Sequence, residues 1–449
     1  MKSKTLNMTS GNATKLLILF SIPMLIGNLF QQVYNLVDSV IVGRLVGANA
    51  LAAIGATSSV TFFFFALCNG IAGGGGIITA QAFGDGDEKK VKKSISNTAY
   101  VMIIMPLIVG CVAGTVAASV LRILDTPEAI MNDAVGYIRV MCIGLIFVSV
   151  YNFVSSMLRA LGDSKTPLYF LIFSCILNVF LDIFFVYVLQ MSVVGAGVAT
   201  VISQFISGFS CLIYAFKNNA YFKMTKEDIK PDKNLILKIL KLGVPLSLQF
   251  SMIAISCMAL QRVVNSFGET TVAAFTATSR IEQLLHMPYQ TLGTALTTYI
   301  GQNYGAKKTD RMKDGYRKGM ILMVIFTALM VPFMQFFGNP IVSIFVKEPE
   351  VIAMGGTALK ISSLFYVFLG VIYVVRGYLN GIGDAFFALL NGIVEVIGRF
   401  TVPIMLTRIA AIGVWGVWWS VGIVWFISGF TAWLRYLYKR EKRQIEVAE

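Results

Sequence analysis

Long apolar runs, each bounded by charge, Gly or Pro, recur along the whole chain. They fall near 16–42, 51–80, 94–121, 132–158, 167–190, 194–216, 237–264, 272–300, 318–346, 352–381, 386–407 and 411–436. A helix needs about 20 mainly apolar residues to cross the hydrocarbon core of a bilayer, so each run is long enough to span once. The reading is an all-α polytopic membrane protein with twelve transmembrane helices. Composition agrees, since 56% of the 449 residues are hydrophobic and only 13% are charged, whereas a soluble domain carries about a quarter charged residues. A water-soluble fold is thereby excluded.

The formal net charge is +14, but the basic residues form no single patch of the kind that binds nucleic acid. They recur between the runs: Lys2, Lys4 and Lys15; Lys89, Lys90, Lys92 and Lys93; Arg159 and Lys165; the lysines from Lys217 to Lys241; Lys307 to Lys318; and Arg435 to Arg443. The opposite loops keep only a few, such as Arg44, Arg122, Lys347 and Arg408. By the positive-inside rule this alternation places both termini in the cytoplasm of a cell (plasma) membrane protein. The basic N-terminus before an apolar run resembles a signal peptide, but no small-residue cleavage site follows, and the first helix is expected to be retained. The six cysteines lie in apolar stretches without a CxxC pair, which supports neither a metal site nor a disulfide framework.

Sliding the sequence on itself by 221 residues aligns its two sides. Ala52-Ala53-Ile54-Gly55-Ala56-Thr57-Ser58 falls on Ala273-Ala274-Phe275-Thr276-Ala277-Thr278-Ser279; Gln81 and Gly84 on Gln302 and Gly305; Gly162-Asp163 on Gly383-Asp384; Gly195 on Gly416; Pro23 and Pro245 pair after a one-residue slip. The expected organisation is an N-terminal six-helix lobe over 1–217, a cytoplasmic linker over 218–236 and a C-terminal six-helix lobe over 237–449. An even number of spans per repeat makes the repeats parallel, related by a pseudo-twofold axis along the membrane normal. Two like bundles facing each other would enclose a central cavity that rocking exposes to each side in turn.

No GxxxxGK[ST] is present, and Gly73-Gly74-Gly75-Gly76 inside an apolar run reads as close packing or a hinge rather than a phosphate cradle. An ion gradient is therefore the simpler energy source. Ionisable groups inside spans are costly and usually face a cavity or a partner. Asp38 lies in the first run, Asn178 and Asp182 four apart in the fifth, and Thr200 in the sixth. Carboxylate, amide and hydroxyl oxygens are ligands for a hard cation, so this set could hold Na⁺ or H⁺. Equally, Asp38 could be solvated near a helix end, with Asn178 and Asp182 bonded to neighbouring helices.

Gln32-Val33-Tyr34-Asn35-Leu36-Val37-Asp38 running into Val42-Gly43-Arg44-Leu45, then Gln81-Ala82-Phe83-Gly84, Arg159-Ala160-Leu161-Gly162-Asp163 and Asn178-Val179-Phe180-Leu181-Asp182 resemble the multidrug and toxic compound extrusion (MATE) family. The resemblance covers nearly the whole chain. It implies export of organic cations and other drugs in exchange for Na⁺ or H⁺, with Asp38, Asn178, Asp182 and Thr200 as the N-lobe cation site and Tyr34 one turn before Asp38. Read from the residues themselves, Pro23 and Gly27 are the candidate bending points of the first helix; equally, Pro23 could sit harmlessly in its first turns.

Some members of that family carry essential carboxylates in the C-terminal lobe, a pattern from which the seventh and tenth runs depart. The polar groups left there are Arg280, Glu282 and His286, then Glu395 and Arg399. Glu282 and His286 share a face and form a second-tier candidate. Glu395 and Arg399, at i and i+4, are expected to neutralise each other. The 33 Phe, including Phe62 to Phe65, and the 20 Met offer soft walls for lipophilic guests.

The expectation is a monomeric secondary antiporter, not an enzyme, exporting lipophilic and cationic small molecules by alternating access, with membrane lipid around it, no nucleic-acid partner and no cofactor beyond H⁺ or Na⁺. The alternative is a flippase or exporter of a lipid-linked or other amphipathic metabolite. A pyrophosphate headgroup would call for several Arg or Lys in the cavity, and the N-terminal half offers almost none in mid-span.

Overall fold

A computed structural model describes residues 5–124 and 126–448; Lys2 and Lys4 fall outside them, as do the side chains of Lys442 and Arg443. Among the described residues the chain forms helices and no strand: α1 (Ala13–Leu45), α2 (Ala48–Asp85), α3 (Glu88–Ile123), α4 (Glu128–Ala160), α5 (Lys165–Asp182), α6 (Ser192–Asn218), α7 (Lys233–Asn265), α8 (Glu269–Gly305), α9 (Thr309–Val342), α10 (Pro349–Ser363), α11 (Tyr366–Gly381), α12 (Ala385–Thr407) and α13 (Gly416–Ala448). Ten spans among the described residues are long and apolar enough to cross a membrane. α10 and α11 make an eleventh, bent by 51° at their break. α8 has 37 residues but carries Arg280, Glu282 and His286, which dilute its hydropathy. With it, the twelve-helix, two-lobe fold is complete.

Two compact units result. One comprises Met1–Met8 and Ile22–Ser251, the other Thr9–Ser21 and Met252–Glu449. The first helix of each repeat, α1 and α7, is thus shared between units. In the first unit α2, α3, α4 and α6 pack around one apolar core that includes Ile71, Met102, Leu145 and Cys211. Glycine permits the close approach of helices there. A Cβ on Gly74 would stand 2.5 Å from the backbone nitrogen of Gly243, and one on Gly76 would stand 2.6 Å from Ser156 Oγ. The four-glycine run is a packing surface. In the second unit α8, α9 and α13 pack against α11.

The repeat is visible in the backbone. Gly162 and Gly383 take φ of 87° and 86°, a region open to glycine at little steric cost. Their N–H groups reach Arg159 O and Asn380 O, each at 2.9 Å, while those of Asp163 and Asp384 reach Leu158 O and Leu379 O, each at 2.8 Å.

The connection between α6 and α7 is tied to α3. Ser96 Oγ donates to Asp228 O at 2.6 Å, Tyr100 donates to Ile229 O at 2.7 Å, and Asp232 N–H donates to Asn97 Oδ1 at 2.8 Å.

Candidate functional site

Helical spacing puts Tyr34 and Asp38 on one face of α1, and Asn178 and Asp182 on one face of α5. The first unit brings these four together with Thr200 of α6. Tyr34 OH lies 3.3 Å from Thr200 Oγ1. The Asn178 amide bridges: its NH₂ donates to Asp182 Oδ2 at 2.7 Å, and its carbonyl accepts the Thr200 backbone N–H at 3.2 Å. Asp182 is wholly buried and Asn178 is 1% exposed. The Asp38 and Asp182 side chains lie within hydrogen-bonding reach of each other. Yet Asp38 Oδ1 and Asp182 Oδ1 are buried without a hydrogen-bond partner, and neither residue has an ion pair among the described residues.

Two further features were not anticipated from the sequence. Tyr137 of α4 is close enough to Asp38 and Asp182 to interact with them electrostatically, and the absence of a side chain at Gly197 leaves room for its ring, which a Cβ there would meet at 3.3 Å. Directly after Asp182 the helix widens into a π-helical segment, Ile183–Val188. Such segments recur at functional sites. Neither has a clear sequence signal: Tyr137 stands in an ordinary apolar run, and a π turn carries no fixed pattern.

Pro23 lies well inside α1, beyond its first turns, and next to the boundary at which the helix passes between units. Gly27 admits the Leu171 side chain, which a Cβ would meet at 3.2 Å.

The second unit is arranged differently, and one expectation is corrected. Glu395 does not neutralise Arg399. It takes a hydrogen-bonded ion pair from Arg376 of α11 and a 3.1 Å bond from Ser428 Oγ, while Arg376 Nε donates to Asn391 Oδ1 at 2.8 Å. A cation on a facing helix thus outcompetes the one a turn away. Arg399 Nη1 turns to Ser256 Oγ at 3.0 Å and Cys257 Sγ at 3.3 Å. Glu282 Oε1 and His286 Nε2 are buried without a hydrogen-bond partner, and the His286 ring meets Trp425 edge-on at 5.5 Å.

A helical fold of two like lobes, with apolar spans long enough to cross a membrane, defines a class of membrane transporter, and the comparisons with known proteins place the chain in one family of it. The MatE family model matches residues 23–184 and again residues 245–398, beginning at Pro23 and Pro245, the two prolines the internal repeat pairs. The chain belongs to the MatE family of multidrug and toxic compound extrusion transporters. It is 34% identical over 445 residues to "Probable multidrug resistance protein YpnP" of Bacillus subtilis (strain 168), covering 98% of each chain. It is 25% identical over 436 residues to "Multidrug export protein MepA" of Staphylococcus aureus (strain N315), covering 97% of this chain and 96% of that one. The crystal structure of MATE in the bent conformation matches over 100% of both chains with a TM-score of 0.92 at 24% identity, a likeness of fold.

Proposed function

We propose that the protein exports lipophilic, cationic compounds in exchange for H⁺ or Na⁺, and that Asp38, Asp182, Asn178 and Thr200 form the coupling site, with Tyr34 beside them. The observation that carries this reading is the pair of orphaned carboxylate oxygens, Asp38 Oδ1 and Asp182 Oδ1, inside membrane spans. Two adjacent carboxylates with no cationic partner leave charge uncompensated where compensation is most needed, so they require a proton or a small cation. The surrounding amide and hydroxyls supply further oxygen ligands. The relatives named for multidrug resistance and export support the substrate class.

On this reading the protein works as a monomer in the plasma membrane, with both termini and the 218–236 linker on the cytoplasmic side between lobes of 1–217 and 237–449. It performs transport rather than enzymatic chemistry, and needs no cofactor besides the exchanged ion. Its partners are small molecules and bilayer lipid, not nucleic acid. Alternating access follows if ion and drug favour different arrangements of the N-terminal lobe, with Pro23 and Gly27 as bending points of α1. Each ligand then lowers the other's affinity by the same factor, because coupling between equilibria is reciprocal.

Transport of a fluorescent organic cation in proteoliposomes, with H⁺ and Na⁺ gradients imposed separately, tests the reading. Accumulation should require one of the two gradients, and drug affinity should fall as that ion is raised. Equal transport without any gradient defeats it, and selective movement of an anionic lipid-linked compound would favour a flippase.

A further inference from the structure

Within the first unit, α3, α4, α6 and the connection that follows α6 enclose a cavity of about 220 Å³, lined by Tyr100, Ile103, Phe153, Phe216, Phe222 and Ile229 among others. Its polar lining groups are already engaged: Ser96 Oγ donates to Asp228 O at 2.6 Å and Tyr100 OH to Ile229 O at 2.7 Å. A guest in this slot must therefore be apolar. The same two bonds fix the wall supplied by the connection, so the slot is held open rather than formed on binding. It has a mouth, since Ile103, Phe216 and Ile229 are 46%, 46% and 45% exposed.

Positive charge follows the lining residues along the chain. Phe216, Phe222 and Ile229 are each followed directly by a lysine, Lys217, Lys223 and Lys230, all exposed and without an ion pair among the described residues. Of the nearby acids, Glu227 pairs with Lys89 and Glu88 with Lys92, while Asp228 is turned to the Thr225 N–H and hydroxyl and keeps its charge. An apolar slot whose lining residues Phe216, Phe222 and Ile229 are each followed by an exposed lysine without an ion pair among the described residues, on a chain of membrane-spanning helices, matches one molecule in both parts.

We propose that this slot holds an acyl chain of one anionic phospholipid, drawn from the leaflet on the side of the α6–α7 connection, with its phosphate attracted by Lys217, Lys223 and Lys230. A cationic compound of the kind proposed above fits less well, because the described lining residues include no carboxylate to take its charge. The site is separate from the Asp38–Asp182 pair and does not depend on its role.

The full chain, reconstituted in vesicles of phosphatidylglycerol, phosphatidylcholine or an equal mixture and released for native mass spectrometry, should retain one phosphatidylglycerol in preference to phosphatidylcholine. Lys217→Gln, Lys223→Gln and Lys230→Gln together should erase the preference, by about fivefold for each lysine removed. Ala99→Trp, which fills the slot, should lose both lipids, and Ile103→Trp at the mouth serves the same purpose if the first variant unfolds. Retention of phosphatidylglycerol at the parent level in both tryptophan variants overturns the proposal. So does equal retention of the two lipids by the parent, or displacement of the bound lipid by a transported organic cation.

Discussion

The two lobes share one architecture, and their two clusters around Asp182 and Glu395 treat buried charge in opposite ways. In the N-terminal lobe, Asp38 and Asp182 have no ion pair among the described residues, and each keeps a buried oxygen without a hydrogen-bond partner. In the C-terminal lobe Glu395 is held by Arg376 and Ser428, and Arg376 is held in turn by Asn391. The internal offset carries Asn178 onto Arg399, Asp182 onto Pro403 and Thr200 onto Val421, so the second repeat has replaced ligand atoms by a fixed cation and apolar groups. A satisfied ion pair is locked in place, because breaking it exposes two charges to a low dielectric. An unsatisfied carboxylate pair is open to a mobile cation. The contrast is between these two clusters, since Glu282 Oε1 and His286 Nε2 are also buried without a partner elsewhere in the C-terminal lobe.

The largest effect that would break this contrast is on transport. Asp38→Asn and Asp182→Asn should each reduce gradient-driven export to the level seen without a gradient, while leaving the melting temperature of the purified protein unchanged or raised, since each removes an uncompensated buried charge. Drug binding by Asp38→Asn should also become insensitive to pH and Na⁺. Full export by either variant removes that carboxylate from the coupling site. An ion dependence that survives in Asp38→Asn moves the site elsewhere, with Glu282 and His286 next to be tested.

The complementary change should strike stability. Arg376→Met strands Glu395 and is expected to cost about 3–5 kcal/mol, with much of that recovered when Glu395→Leu is added. Unfolding of the purified single and double variants by heat or denaturant checks it. A single variant as stable as the parent would mean that the C-terminal network is as loose as the N-terminal site.

A smaller effect separates charge from orientation within the N-terminal site. Tyr34→Phe removes one long hydroxyl contact to Thr200, 3.3 Å, and a hydrogen bond between neutral groups contributes about 0.5–1.5 kcal/mol net. The variant should therefore still transport, with coupling-ion affinity changed by no more than about tenfold. Complete loss of coupling would assign Tyr34 a direct part in ion exchange.

Much of this was legible in the sequence because bilayers enforce periodicity. Twelve apolar runs, a repeat offset and polar residues within spans leave little freedom in fold, and the i, i+4 pairs Tyr34–Asp38 and Asn178–Asp182 name their shared faces directly. What could not be read was which helix faces which across the core. The pairing of Glu395 with Arg376 rather than Arg399 depends on α11 approaching α12, a tertiary fact that overrides a local spacing rule. Tyr137 was missed for the same reason, since only the packing of α4 and α6 brings it near the carboxylates. The π segment after Asp182 leaves the apolar pattern of its run unchanged, and so was invisible to a periodicity argument.

The smallest effect lies in the connection between α6 and α7 and sharpens the comparison by removing a confounder. Asp228, in the connection between α6 and α7, accepts from the Thr225 backbone N–H and hydroxyl, each at 2.8 Å, and these donors hold its carboxyl below the usual carboxylate range. A depressed folded-state value means that its contribution is present above the unfolded value, about 3.9, and is lost as pH falls through the folded one. The protection factor of the Thr225 amide in hydrogen exchange should thus stay level from neutral pH down to about 4 and decline only below it. Asp228→Asn should lower that protection at every pH and flatten its response. If this holds, the connection does not titrate where transport operates, and a pH dependence of drug affinity between about 5 and 8 cannot arise from Asp228. A protection factor that instead falls between neutrality and about pH 5 would mean that the connection titrates alongside transport, and its contribution would have to be subtracted before the Asp38–Asp182 pair is credited with the coupling.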